Sequence, residues 1–349
     1  MSTQGQLTIA LAIATPGTGW GGMEKHSADL VVALAAEGHE VHVLAHAAYQ
    51  DRFADPVRFH PLPFQLGRRN LWLRHCLRRT LRSIRPDILH AQGNKAASLI
   101  SAGAHHARAT VGTLHGTKSS HKAFDKLDGV IGVSREITGS INHPCVRLVY
   151  NGVTVPDNQS NPVSRIPIPT ERPLFVAAGR LEPVKQFDRL IRAWDKANPG
   201  GILVILGNGT QRAPLEQLVQ KLNASDTIKL PGYEPNIPGW LSAATACIIS
   251  SEREGFSYIC AEALTAFCPV LSTPVGIAKE FLPKSSIAQS DSIDDLAALI
   301  RAGVNGIDSL AAAQANSFHQ ARTQFSLETM VANTEAFYRD LLASVPARH

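Results

Sequence analysis

The sequence predicts an α/β protein of two doubly wound, Rossmann-like domains. Three observations carry that expectation. Short runs rich in Val, Ile and Leu alternate with longer amphipathic segments, the pattern of βα units whose parallel sheet is buried on both faces. At 349 residues the chain exceeds one ordinary domain. The stretch from Pro156 to Pro173 carries five prolines, several Asn and Ser and no periodicity, which reads as a linker between domains.

The first domain, residues 1–158, has predicted strands at Leu7–Ala14, Glu40–Ala45, Asp87–Ala91, Thr110–His115, Val130–Val133 and Arg147–Tyr150. After a linker at 159–172, the second domain, 173–325, repeats the alternation at Leu174–Ala178, Ile202–Leu206, Thr227–Leu230, Ala246–Ser250 and Pro269–Thr273. The last segment, 326–349, breaks it. From Ser326 to Ala343, Met330, Val331, Thr334, Phe337, Tyr338, Leu341 and Leu342 share one helical face behind a cap at Ser326 with Glu328 or Thr329, which predicts a helix packed back on the first domain. Ligands of open α/β sheets bind at the carboxyl ends of the strands. Two such domains facing across a cleft therefore place functional residues just after strands.

Composition narrows the function classes. With 44% hydrophobic and 18% charged residues, a largely disordered chain is excluded. The longest apolar runs, such as Ile9–Ala14 and Val31–Ala36, fall short of the about 20 residues a spanning helix needs. No cation precedes Leu7–Ala14, so that run reads as a strand and not as a secretory leader. Cys76, Cys145, Cys247, Cys260 and Cys268 are odd in number and lack CxxC spacing; neither disulfides nor a zinc site is expected, and the expected location is a reducing cytoplasm. The net charge of +5 is uneven, because residues 1–155 hold 17 Lys+Arg against 10 Asp+Glu while residues 156–349 hold 17 against 19. An anionic partner is expected at the first half.

Gly17, Gly19 and Gly22 after the first strand formally satisfy GxGxxG, the dinucleotide fingerprint. That fingerprint also requires an acidic residue at the end of the second strand, and here the strand ends Leu44-Ala45-His46. What survives is a loop that lets backbone amides and a helix N-terminus approach an anion, or a plain tight turn. Gly207-Asn208-Gly209 after Ile202–Leu206 offers the same two readings.

Two further segments after strands are more specific. Gly179-Arg180-Leu181-Glu182-Pro183-Val184-Lys185 puts two cations in one loop, suited to a diphosphate. Ser251 to Leu264 carries Glu254 and Glu262 around Gly255-Phe256-Ser257 at a helix start, where carboxylates accept from sugar or ribose hydroxyls and amides meet phosphate.

With these motifs the sequence resembles the retaining glycosyltransferases of family 4, which have the GT-B fold. The resemblance covers nearly the whole chain, through Gly21-Gly22-Met23-Glu24-Lys25-His26, Gly38-His39-Glu40-Val41, Val149-Tyr150-Asn151-Gly152-Val153, Gly179-Arg180 with Lys185, and Glu254 through Glu262. It implies transfer of a sugar from a nucleotide diphosphate donor, a UDP- or GDP-sugar, to a glycan or glycolipid acceptor such as lipopolysaccharide or another cell-surface polysaccharide. By resemblance, Arg180 and Lys185 grip the donor diphosphate and Gly21 and Gly22 close on it. Glu262 holds the ribose, Glu254 with the Gly255, Phe256 and Ser257 backbone holds the donor sugar, and Gly207, Gly209 and Tyr233 meet the nucleotide. His115, at the end of a strand, matches the family's active-site histidine, catalytic together with Glu254. The chain departs from the pattern at Thr154, where Asp usually follows Asn-Gly-Val, at Gln186, where Gly usually follows the Lys, and at Phe267, where Gly is usual beyond Glu262.

No Asp-x-Asp motif occurs, so no metal and no cofactor are expected. Arg180, Lys185 and helix N-termini are expected to take up the charge that builds on the leaving diphosphate. No carboxylate nucleophile stands out, and the resemblance implies a front-face route to retention.

From Pro56 to Pro86 there is no acidic residue, and Arg68, Arg69, Arg74, Arg78, Arg79, Arg82 and Arg85 accompany Leu73, Cys76, Leu77, Leu81 and Ile84 at helical spacing. Two readings stand. The arginines form a solvated face, or the Arg68–Arg85 helix meets an anionic inner-leaflet membrane surface or a phosphorylated lipid-linked acceptor, making the protein peripheral on the inner face of the cytoplasmic membrane. Nucleic acid is not expected, because aromatics are only 6% and form no stacking platform along the run. Two other functions share the fold. One is a nucleotide-sugar 2-epimerase; the other, a non-catalytic nucleotide-sugar-binding membrane adaptor, has no need of the Arg180, Lys185, Glu254, Glu262 set.

Overall fold

A computed structural model describes residues 5–103, 106–116, 121–155 and 172–345, so most of the proline-rich stretch lies outside the described residues. The chain forms two compact units: Met1–Gly152 with Leu327–His349, and Val153–Ser326.

In unit 1 the described residues form a parallel sheet of seven strands. The strands are β1 Thr8–Ile13, β2 Glu40–Ala45, β3 Arg58–Pro61, β4 Ile88–Gln92, β5 Ala109–Leu114, β6 Gly129–Gly132 and β7 Val146–Leu148. Their order, β3-β2-β1-β4-β5-β6-β7, reverses direction at β1, the doubly wound arrangement. Helices α1 Gly22–Ala36, α2 Leu71–Ile84, α3 Gly93–Ile100 and α4 Arg135–Gly139 follow β1, β3, β4 and β6. Ile9, Leu11, Ile13, Val43, Ile88 and Val111 are fully buried in one core, which is why these strands read as unbroken apolar runs.

The C-terminal helix Leu327–Ser344 completes that core with Met330, Val331, Phe337, Tyr338 and Leu341. Its Tyr338 hydroxyl lies 2.6 Å from His90 Nδ1, and Arg147 pairs with Asp340 at 2.8 Å. Gly129 leaves room for it, since a Cβ there would stand 2.7 Å from the Phe337 ring.

Unit 2 has a parallel sheet of five strands in the order β10-β9-β8-β11-β12 among the described residues. These are β8 Leu174–Ala178, β9 Ile202–Leu206, β10 Ile228–Gly232, β11 Ala246–Ile249 and β12 Val270–Ser272. The helices are α5 Phe187–Ala197, α6 Arg212–Lys221, α7 Ile237–Ala243, α8 Tyr258–Thr265, α9 Ala278–Phe281, α10 Ile293–Asn305, α11 Ile307–Ala313 and α12 Ala315–Gln324. Phe175, Leu190, Ile191, Trp194, Leu203 and Leu296 anchor the core. Edge strand β12 is closed by the buried Gln314, whose Nε2 donates to the Val270 carbonyl (2.8 Å) while Oε1 accepts from the Val270 amide (2.9 Å), so no free ladder is left there.

Every predicted strand is present with its ends within two residues. β3 was not expected. Its sequence Arg58-Phe59-His60-Pro61 is half to fully exposed, so it has no apolar run to announce it, and only pairing with β2 makes it a strand. No single helix among the described residues is long and apolar enough to cross a membrane.

Candidate active site

Unit 2 gathers its candidate residues where strands end. The segments after β8, β9, β10 and β11 are tied together by backbone bonds: Gly179 N–H to the Leu206 carbonyl (3.0 Å), Leu181 N–H to Asn208 (2.9 Å), Gly207 N–H to Gly232 (2.7 Å) and Glu252 N–H to Val184 (2.9 Å). That closeness explains the glycines. Gly207 has φ +136°, and a Cβ there would lie 1.9 Å from the Gly179 oxygen; at Gly209 it would lie 2.4 Å from the Leu181 oxygen. The space these glycines leave is thus filled by protein backbone, which accounts for both residues without a nucleotide. Tyr233, 71% exposed, follows β10.

Lys185 and Glu254 meet across two of these loops. Lys185 Nζ donates to Glu254 Oε1 at 2.6 Å and Ser251 Oγ donates to the same oxygen at 2.7 Å. Ser250 Oγ holds the Lys185 carbonyl at 2.8 Å. The two side chains are 21% and 13% exposed, and Glu254 Oε2 has no hydrogen-bond partner among the described residues. Arg180 is exposed beside them. Glu182 accepts from the Thr210 hydroxyl (2.7 Å) and amide (3.3 Å), and those bonds hold its carboxyl below the ordinary carboxylate value.

The start of α8 stands next to Glu254. Ser257 precedes it at φ +87° with a buried hydroxyl that has no partner. The Phe256 side chain turns into the core, 5.4 Å from the Phe325 ring, so a ligand here would meet the backbone of 255–257 and not the phenyl group. Gly276 permits this turn, since a Cβ there would stand 2.4 Å from the Phe256 carbonyl oxygen, which accepts from Ile277 N–H (3.0 Å). Glu262, partly buried, lies one turn into α8.

Unit 1 brings His115 into a cluster the sequence did not announce. His115 Nε2 lies 2.7 Å from Gln92 Oε1; with a carbonyl oxygen as acceptor, the proton sits on Nε2. His90 joins Thr113 Oγ1 (2.7 Å) and Tyr338. His26, from α1, stands edge-on to His115 with ring centroids 4.9 Å apart. It is 2% exposed, and neither ring nitrogen has a hydrogen-bond partner among the described residues. Burial, with Lys25 adding, pushes His26 down to about 4. Burial, with His26 adding, pushes His90 down to about 3. Burial, then His26 and His90, hold His115 well below the usual histidine value, so the cluster is neutral at pH 7. His90 and Gln92, polar at i and i+2 in an apolar strand, were the available signal; His26 offered none.

The glycine loop of unit 1 is engaged internally. Gly21 N–H donates to Glu24 Oε2 at 3.0 Å, so the amide expected to meet a donor anion is held by the chain's own carboxylate, with Gly22 opening α1 behind it. At Gly17, φ +80°, a Cβ would lie 2.2 Å from His46 Nδ1: a histidine fills the position after β2 where a dinucleotide site needs an acid. Among the described residues no group of three or more His, Cys, Asp or Glu is arranged to hold a metal ion.

Residues 20–155 match the family described as "Glycosyltransferase Family 4", and residues 160–316 match "Glycosyl transferases group 1". The chain belongs to glycosyltransferase family 4. This glycosyltransferase is 25% identical over 263 residues, 72% of its length and 75% of the relative's, to the lipopolysaccharide core biosynthesis glycosyltransferase LpsD of Rhizobium meliloti. It is 28% identical to LpsE of the same organism over 52% of its own length and 53% of that protein's. Its fold is shared with HepE of Anabaena in complex with UDP, at TM-score 0.78 and 17% identity over 96% of this chain and 100% of that one. The lipopolysaccharide outer core galactosyltransferase WaaB matches at TM-score 0.73 and 16% identity over 96% and 99%. The glycosyltransferase thus has the two-domain, Rossmann-like GT-B fold.

Two departures of this glycosyltransferase from the family pattern now have a structural setting. Gln186 has φ +52° and Phe267 φ +58°, the left-handed conformation that favours the glycine usual at both places. Phe267 follows the end of α8, its ring 5.8 Å from Phe318 and 5.0 Å from the Arg322 guanidinium. It therefore serves α8–α12 packing. Thr154, exposed, is explained by nothing in the structure.

Proposed function

We propose that this glycosyltransferase moves a sugar from a nucleotide diphosphate donor, UDP- or GDP-linked, to a glycan or glycolipid acceptor of the cell envelope, with retention and without a metal. The Lys185–Glu254–Ser251 constellation beside the α8 N-terminus carries the reading. On donor binding Lys185 is shared between Glu254 and the diphosphate, and Arg180 adds a second cation as negative charge grows on the leaving oxygen. Glu254 keeps Oε2 for sugar hydroxyls, the 255–257 backbone and Ser257 hydroxyl line the same place, and Glu262 takes the ribose. In unit 1, His115 keeps a neutral imidazole with Nδ1 as acceptor for a hydroxyl. Tyr233, exposed after β10, adds a nucleotide contact by family resemblance. The HepE complex with UDP-glucose supports a nucleotide-sugar donor, and LpsD and LpsE support an envelope glycan as acceptor. The enzyme acts in the cytoplasm, at the inner face of the membrane that bears its acceptor.

A thermal-shift panel of UDP, GDP, ADP and their sugars tests the donor. Stabilisation by a UDP- or GDP-sugar that Glu254→Gln removes is the expected result; indifference to all of them overturns the reading. Chelator should leave turnover unchanged, and strict Mg²⁺ or Mn²⁺ dependence contradicts the metal-free route. An inverted anomer in the product overturns retention.

A further inference from the structure

Unit 1 contains a pocket of about 620 Å³, lined in part by the start of the Arg68–Arg85 basic run and separate from the donor residues above. Arg68, Arg69 and Arg74 line it from the segment before α2 and the first turn of α2, Ser98 from α3, and Lys122 and Lys126 from the turn after β5. Five cations face one space whose lining contains no carboxylate.

Four of these cations stand outside the ion pairs of the described residues. Arg68, Arg69, Arg74 and Lys126 have no acidic partner among the described residues, whereas Lys25, Arg58, Arg108 and Arg147 of the same unit each have one. Arg74 Nε is buried with no hydrogen-bond partner among the described residues. Asp128, close in sequence to the lysines, accepts at Oδ2 from the Thr110 amide and hydroxyl (2.8 and 2.7 Å). Like charges gathered in a pocket repel one another and raise the local concentration of anions, and guanidinium forks fit phosphate oxygens. The volume lies in the range of small-molecule sites, larger than one phosphate requires. The lining has no aromatic side chain on which a nucleobase would stack.

The α2 face explains how the cations stay there. Leu73, Leu77 and Leu81 are buried, and Asn70 Oδ1 caps the helix by accepting from Leu73 N–H (3.0 Å). Arg74, three residues before Leu77, is thereby held at the border of the buried stripe, where it lines the pocket.

We propose that this pocket is an anion subsite for a phosphorylated sugar of the acceptor, a saccharide phosphate or pyrophosphate. The proposal rests on the acceptor reading above and deepens it. It is tested by binding, separately from transfer.

Inorganic pyrophosphate is titrated calorimetrically into the full chain carrying Arg180→Ala and Lys185→Ala, which removes the donor grip and leaves the pocket. One salt-sensitive binding event is expected. Adding Arg69→Gln and Lys126→Gln, both at exposed side chains, should weaken it roughly tenfold or more, with the unfolding temperature unchanged; Arg74→Gln should do the same. Glucose 1-phosphate should displace pyrophosphate and glucose should not. No binding, binding indifferent to the pocket substitutions, or displacement by phosphatidylglycerol vesicles but not by sugar phosphate would overturn the proposal. If the Arg180→Ala, Lys185→Ala chain keeps full transfer, the donor reading fails and the pocket result stands by itself.

Discussion

The two units handle charge in opposite ways. Unit 2 places its central cation against its own carboxylate, Lys185 on Glu254 at 2.6 Å, inside loops tied by backbone bonds. Unit 1 leaves three arginines and Lys126 without acidic partners among the described residues around a 620 Å³ pocket, and desolvates a histidine cluster until it is neutral. The difference matches two tasks. Charge that develops during bond cleavage is stabilised by few groups fixed in advance. An anionic group that only has to be captured is served by many cations whose repulsion it relieves.

The sharpest way to break this comparison is to remove the fixed pair. Lys185→Ala should lower kcat by about 10² to 10³, and Glu254→Ala comparably, measured as turnover per folded enzyme. Near-normal turnover in either variant sinks the donor assignment.

Acidification tests the neutral cluster next. His26 has a folded value of about 4, against 6.5 for the free side chain. As pH falls, the unfolded chain therefore takes up its proton first. Stability should be level above pH 6.5 and decline between 6.5 and 4, His26 alone accounting for roughly 2–3 kcal/mol over that window. His90, down to about 3, extends the decline in the same direction. Urea unfolding followed across pH checks this, with His26→Gln flattening part of the slope. A level profile from pH 7 to 4 contradicts the neutral cluster.

Unit 2's rigid loops can be probed at Gly207. Ala there meets the Gly179 carbonyl and keeps a positive φ, and a loss of roughly 1–3 kcal/mol in denaturant unfolding is expected. The smallest effect separates the two non-glycine positions. Gln186→Gly should stabilise by up to about 1 kcal/mol by relieving a left-handed residue. Phe267→Gly should give no gain, because it also removes the contacts with Phe318 and Arg322.

Legibility in the sequence followed burial. Strands with both faces covered announced themselves, as did the C-terminal helix, whose apolar face at Met330, Phe337 and Tyr338 is the one that meets unit 1. Edge strand β3 did not, because its side chains are exposed. Within the candidate site, Arg180, Lys185, Glu254 and Glu262 were visible as charged residues in loops after strands. Ser251, which shares Glu254 Oε1 with Lys185, was not, since a serine after a strand has many uses. The glycines were visible, but their reason was not: Gly207 and Gly209 make way for neighbouring backbone, a contact between segments some 28 residues apart in sequence that no local pattern encodes.

By itself, then, the sequence determined which segments form the strands of two parallel sheets, β3 excepted, and that basic charge gathers in the first half. Hydrophobic periodicity and residue type are local properties, and those conclusions need nothing else. Tertiary structure decided the partnerships. It set Lys185 on Glu254, drew His26, His90, Gln92 and His115 into one desolvated cluster, and brought Arg68, Arg69 and Arg74 around one pocket with lysines some 50 residues away. Pairing, desolvation and repulsion depend on distances through space, and those exist only once the chain has folded.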